Sequence, residues 1–138
     1  MSRRALRLLD TNIVSYILRG TLPRADARLL SAPANSLYIS VITRGELKFG
    51  LSREPKALCL ARLVDDFLIR VPSLDWNSDA ADAYGTLRAE LERRGSPIGN
   101  LDTLIAAHAL ALGATLVTTN RRHFAPVPGL EIEDWAAP

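Results

Sequence analysis

The sequence carries one cysteine, Cys59, in 138 residues. No internal disulfide is open to it, which suits a reducing compartment. The stretch Ala57-Leu58-Cys59-Leu60-Ala61 reads that cysteine as a small buried hydrophobe. No Cys/His spacing suits zinc, no glycine-rich loop suits a phosphate, and no Gly-x-Ser-x-Gly elbow is present. No apolar run approaches the roughly 18 residues needed to cross a membrane. The basic start, Met1-Ser2-Arg3-Arg4, is followed by an apolar run that Arg7 interrupts and Asp10 stops. A cleaved leader is therefore not expected, and a cytoplasmic location is the default. Repeats, low-complexity tracts and linkers are lacking too, so residues 1–138 are expected to form one domain.

What is present is the composition of an ordinary globular protein, 48% hydrophobic and 23% charged. The net charge of +2 is too mild to point to nucleic acid by itself. Lys48 and Lys56 are the only lysines, so nearly all positive charge is arginine. Arginine suits bidentate phosphate contacts, but the bias follows equally from genome composition.

The run Ala5-Leu6-Arg7-Leu8-Leu9 has the length of a buried strand and ends in Asp10-Thr11-Asn12, residues that favour a helix N-cap. Ile13 to Leu18 then reads as a helix stopped by Gly20, and Pro23 opens a second one through Leu30. Leu37-Tyr38-Ile39-Ser40-Val41 is a second strand, followed by a helix from Ile42 to Leu51. Pro55 to Phe67 has helical periodicity, and Ile69-Arg70-Val71-Pro72 reads as a short edge strand. Asn77 to Arg94 is the longest helix, with Arg88 paired to Glu92 and Glu90 to Arg94 at helical spacing. After a loop over 96–100, Leu101 to Leu112 is an apolar helix stopped by Gly113. Strands at Ala114 to Thr118 and Leu130 to Ile132 complete the pattern. Strands alternating with helices imply right-handed crossovers and a three-layer α/β/α domain, with a mainly parallel sheet of about five strands.

In such a sheet, strand ends and the starts of the following helices share one edge, where ligands bind. Asp10, Glu46, Asp102 and Asn120 all fall there, Asp102 by way of the loop before its helix. Three carboxylates and an amide on one edge would repel unless a cation sat among them. All-oxygen ligands select a hard ion, Mg²⁺ or Mn²⁺, which suits hydrolysis of a nucleic-acid backbone. Each residue also has a plainer reading. Asp10 fits a helix cap, Thr43-x-x-Glu46 fits a capping box, Asp102 fits a helix-dipole acid after an Asn100 cap, and Asn120 fits a turn former. His108 lies on another face of its helix from Asp102 and reads as a packed structural residue. His123, in the turn Arg121-Arg122-His123-Phe124, reads as a candidate RNA contact. Trp76 and Trp135 read as packing residues.

Four stretches, quoted as they stand, carry a resemblance. They are Leu8-Leu9-Asp10-Thr11-Asn12, Ser40-Val41-Ile42-Thr43-x-Gly45-Glu46-Leu47-x-Phe49-Gly50, Ile98-Gly99-x-x-Asp102-x-Leu104-Ile105-Ala106-Ala107-His108-Ala109 and Val117-Thr118-Thr119-Asn120-x-x-x-Phe124. In order and spacing the chain resembles the PIN-domain family, and more narrowly the VapC toxins of type II toxin–antitoxin systems. The ending Val127-Pro128-Gly129-Leu130-x-x-Glu133-Asp134-Trp135 resembles the same subgroup. The resemblance implies a Mg²⁺- or Mn²⁺-dependent endoribonuclease that inhibits translation by cutting transfer or ribosomal RNA. It also implies a dimer, and inhibition by a VapB-type antitoxin. By position, Asp10, Glu46 and Asp102 match the acidic, metal-binding site, with Asp10 and Asp102 matching the direct ligands; Glu46 is read as holding and orienting a metal-bound water. Thr11 and Asn12 match the polar residues beside the first acid. Arg121 and Arg122, adjoining the site edge in sequence, are the candidate phosphate contacts.

Two departures stand out. Asn120 occupies a position that is aspartate in many relatives, which implies at most a weak second metal site. Asn100-Leu101-Asp102 replaces an adjacent Asn-Asp pair. Other readings stay open: a DNA-directed nuclease, a non-catalytic binding module, or a phosphotransferase with Asp10 as nucleophile. The last would need a second acid at Asn12.

Overall fold

The computed structural model describes residues 6–54 and 56–137. The basic start, Ala5 of the first strand and Pro55, expected to open the fourth helix, lie outside the described residues. Within them the chain runs β1 (Arg7–Leu9), α1 (Thr11–Arg19), α2 (Pro23–Ser31), β2 (Leu37–Ser40), α3 (Val41–Arg53) and α4 (Leu58–Arg70). It continues through β3 (Ser73–Leu74), α5 (Ser78–Arg93), α6 (Asn100–Leu112), β4 (Thr115–Thr118), α7 (Arg121–Phe124) and β5 (Ile132–Asp134). Every strand pairing is parallel, in the spatial order β3-β2-β1-β4-β5. The sheet is thus wholly parallel rather than mainly so. No helix among the described residues is long and apolar enough to cross a membrane.

Alternation along the central strands sends successive side chains to opposite faces. Leu9, Ile39 and Val117 join Ile13, Val14, Leu29, Val64 and Phe67, so α1, α2 and α4 pack on one face. Leu8 and Leu116 join Leu87, Leu91, Ile105 and Phe124 beneath α5, α6 and α7 on the other. Two apolar layers against one sheet make the α/β/α sandwich that the sequence implies.

From β1 the chain moves outward one way through β2 and β3, then returns to lay β4 on the other flank of β1. The crevice beyond the carboxyl ends of β1 and β4 is therefore the topological switch point, where parallel α/β sheets bind ligands.

Several boundaries differ from expectation. α4 runs on through Arg70, so Ile69 and Arg70 are helical and the edge strand falls at Ser73–Leu74. Pro72 lacks an N–H, but its carbonyl accepts from Ile39 N at 3.0 Å and starts that pairing. β5 lies two residues later than Leu130 to Ile132, where Ile132, Glu133 and Asp134 come opposite Leu116, Val117 and Thr118. Val41 belongs to α3, because Ser40 caps it by accepting from Ile42 N at 3.1 Å. Cys59 is exposed, since Val64 and Phe67 define the buried stripe of α4 and Cys59 lies off it. His108 is buried as expected, and the ion pairs Arg88–Glu92 and Glu90–Arg94 form at 2.9 and 2.7 Å.

Candidate active site

Asp10 follows β1 directly and is still tied to the sheet, its N–H donating to Val117 O at 2.9 Å. Its backbone is extended, and its side chain caps α1 by accepting from Ile13 N at 2.8 Å through Oδ1. Oδ2 accepts from the hydroxyl of Thr118, the last residue of β4, at 2.6 Å. That bond spans the switch point. Only 3% of Asp10 is exposed. Burial pushes its pKa from 3.8 up to about 6, against the Thr118 and Ile13 bonds, and the negative charge of Asp102 pushes the same way. The helix-cap reading is thus correct but incomplete, because a simple cap is not desolvated to this degree.

Asp102 sits in the first turn of α6. Gly99, with φ of 97°, makes the turn into that helix in a conformation other residues rarely adopt. The N-cap is therefore Gly99 and not Asn100, and Thr103 Oγ1 donates to the Gly99 carbonyl at 2.6 Å. Glu46 is not part of a capping box, since Ser40 caps α3 and places Glu46 in its second turn. Glu46 and Asp102 line one cleft of about 400 Å³ together with Thr11, Asn12, Asn100 and Leu101. Thr11, which lines the cleft, is tied to α3 by the hydroxyl of buried Thr43, 3.1 Å from its own.

The far side of the site is the corner after β4. Arg121–Phe124, read from sequence as a turn, is the short helix α7, capped by Asn120 Oδ1 accepting from His123 N at 3.3 Å. Asn120 is exposed, and its own N–H donates to Thr118 Oγ1 at 3.1 Å. Arg121 donates from Nη2 to the Ile132 carbonyl at 3.0 Å, tying α7 to β5, so only part of its guanidinium is left for phosphate. Arg122 is exposed on the same turn. Sequence reasoning missed the partner of His123, whose Nε2 lies 2.7 Å from Asp102 Oδ2. The contact joins residues 21 positions apart through the fold, and no local spacing signals it.

Among the described residues, no three acidic, histidine or cysteine side chains are close enough together to enclose a metal ion. The donors that are present nevertheless have the chemistry of a hard-cation site. The charge of Asp102 is near enough to disfavour the ionised form of Asp10, a cost that a divalent cation would relieve. Glu46 lines the same cleft as Asp102.

Compared with known families, the chain matches the PIN domain over residues 7–130. It belongs to the PIN-domain family. Ribonuclease VapC2 of Rickettsia felis is 40% identical to it over 93% of this chain and 96% of that protein. The tRNA(fMet)-specific endonuclease VapC of Salmonella typhimurium is 35% identical, with the same shares covered. Among solved structures, VapBC2 from Rickettsia felis bound to a DNA fragment from their promoter aligns with a TM-score of 0.88 at 37% identity. That alignment covers 94% of this chain and 98% of the other. In this PIN domain the motif residues Thr11, Asn12, Glu46 and Asp102 line one cleft, Asp10 is buried at the switch point on Thr118, and exposed Asn120 caps α7 after β4.

Proposed function

We propose that this PIN domain is an endoribonuclease toxin of the VapBC type. It cuts transfer or ribosomal RNA and so halts translation, which places its work in the cytoplasm. The observation that carries the reading is Asp10. Its carboxylate is buried, bonded to Thr118 across the switch point, and raised in pKa beside Asp102. A fold keeps so costly a group where function needs it.

Asp10 and Asp102 would hold Mg²⁺, with Mn²⁺ as a substitute. Such an ion, when bound, lowers the pKa of a water and offsets charge developing on the phosphodiester. Glu46 orients the attacking water and takes its proton as the oxygen adds to phosphorus. One P–O ester bond breaks, and the leaving oxygen takes a proton from solvent water. Thr11 and Asn12, beside Glu46 in the cleft, contact the scissile nucleotide. Asn120, at the rim, hydrogen-bonds a water or a phosphate oxygen. Arg122 and the free part of Arg121 meet flanking phosphates, where arginine forks fit well.

The partner is a VapB-type antitoxin. The Rickettsia felis and Salmonella typhimurium structures named as VapBC complexes align over 94% and 95% of this chain. The toxin assembles as a homodimer or as a toxin–antitoxin hetero-oligomer. The test is cleavage-end mapping of total RNA with purified protein, Mg²⁺ and a chelator control. Sharp cleavage sites that vanish with chelator and with Asp10→Asn are expected. Full cleavage by Asp10→Asn would refute the assigned roles. Cleavage of DNA alone would move the substrate, and no cleavage at all would leave a binding module.

A further inference from the structure

We infer that His123 is a positioning residue for Asp102, set by the corner after β4 that also fixes Asp10. Four hydrogen bonds connect the two acids through that corner. Thr118 Oγ1 donates to Asp10 Oδ2 at 2.6 Å, and Asn120 N donates to the same hydroxyl at 3.1 Å. Asn120 Oδ1 then accepts from His123 N at 3.3 Å, and His123 Nε2 meets Asp102 Oδ2 at 2.7 Å. An ionised carboxylate only accepts, so the proton of that last bond is carried on Nε2. One side of the imidazole is braced by its neighbour Phe124, which is 1% exposed and packs edge-on at 5.1 Å between ring centroids.

The consequence is directional. A carboxylate on the first turn of a helix can rotate about χ2 and present either oxygen. With Oδ2 held by His123, Oδ1 is the oxygen without a hydrogen bond among the described residues and is left to bind a cation. Ligating carboxylates that are hydrogen-bonded from behind bind metal more tightly, and loss of the outer partner typically costs about 10–100-fold in affinity. Thr118 holds Asp10 Oδ2 in the same manner. One four-residue helix and the strand before it therefore preset both acids across the crevice.

This inference rests on the metal reading proposed above, and one titration separates the two. Mn²⁺ binding to the full chain is measured by calorimetry, with electron paramagnetic resonance of free Mn²⁺ as a second readout. Wild-type protein is expected to bind and Asp10→Asn not to bind. His123→Leu should fold normally and bind on the order of 10-fold more weakly. His123→Gln, whose amide reaches about as far as Nε2, should restore most of the affinity. His123→Asn, one bond too short, should remain weak, and it gives the same comparison should the leucine disturb α7. In RNA cleavage, kcat should fall with KM little changed. Wild-type binding matched or exceeded by His123→Leu or His123→Asn would overturn the role of His123 alone. A wild-type protein that takes up no Mn²⁺ would overturn the metal reading and this inference with it.

Discussion

Replacing Asp10 with asparagine separates two accounts of that residue by their effect on stability. As a helix cap alone, aspartate and asparagine are nearly equivalent. Losing a charge at a helix N-terminus then costs about 0.3–1 kcal/mol. The folded environment predicts the opposite sign. Burial, reinforced by Asp102, raises the carboxyl from 3.8 to about 6 even after the bonds from Thr118 and Ile13 are counted. At about 1.4 kcal/mol per tenfold, that gap is about 3 kcal/mol set against folding whenever the group is ionised. The folded-state value is raised, so the stability linked to Asp10 is fully present below pH 3.8 and is lost as pH rises through about 6. Asparagine resembles the neutral acid and escapes the loss. Asp10→Asn is therefore expected to be about 2–3 kcal/mol more stable than wild type at pH 7.5, with the gain nearly gone at pH 4.

The assay is urea unfolding with chelator present, followed by the fluorescence of buried Trp135. With a slope of about 2 kcal/mol/M, the midpoint should rise by roughly 1 M at pH 7.5. A variant no more stable than wild type there, or one whose gain is the same at both pH values, would refute the claim that Asp10 is held ionised at a cost. Mg²⁺ should then stabilise wild type and leave the variant unmoved, because only the acid binds it.

Further expectations concern other sites. Among the described residues neither buried His108 ring nitrogen makes a hydrogen bond of good geometry; the Asp75 backbone lies near enough only to oppose weakly the burial that lowers the pKa. His108 thus contributes stability that is present above pH 6.5 and lost on acidification below it. His108→Leu should be stabilising by about 1–3 kcal/mol in urea unfolding, and a loss of more than 1 kcal/mol would contradict the orphaned-ring reading. Glu133 accepts from Arg7 at 3.1 and 3.2 Å, Arg28 at 3.0 Å and Trp135 at 2.7 Å. Glu133→Ala should cost about 1–3 kcal/mol, and a neutral result would show that these bonds add nothing net. Arg122→Ala should lower kcat/KM for RNA and reduce the slope of its logarithm against log salt by about one, while leaving fold stability unchanged.

Much of the architecture was legible because buried parallel strands and apolar helices write clear periodicities. The helical spacing of charges over Asn77 to Arg94, ended by Gly95, leaves little choice. The misplaced elements are at the edges. Ile69 looked like a strand residue because it is β-branched, yet it is 82% exposed at the end of α4. Its composition fits a strand, while the pairing partner Ile39 selects Ser73 instead. Cys59 looked buried because its neighbours are apolar, whereas only one stripe of α4 faces the core. The site was legible in its acids and not in what holds them. Thr118, Thr43 and His123 act through contacts between residues 108, 32 and 21 positions apart, which no helical or strand period encodes.

Asn120 is the departure from the family pattern whose consequence can be argued furthest. Its side chain caps α7, and aspartate would cap equally well, so capping does not explain the amide. Charge does. Asp10 is already raised by desolvation and by Asp102, and another carboxylate at the same corner would raise it again. Asn120→Asp should therefore leave the fold intact and, without metal, cost under about 0.5 kcal/mol, since the position is exposed and screened. Its effect should appear in binding, as several-fold tighter uptake of Mn²⁺ at about 10 mM salt, shrinking towards nothing near 1 M salt as screening shortens from about 30 to 3 Å. The same titration used for His123 reads it out. Unchanged affinity at low salt would show that position 120 is too far from the acids for its charge to matter.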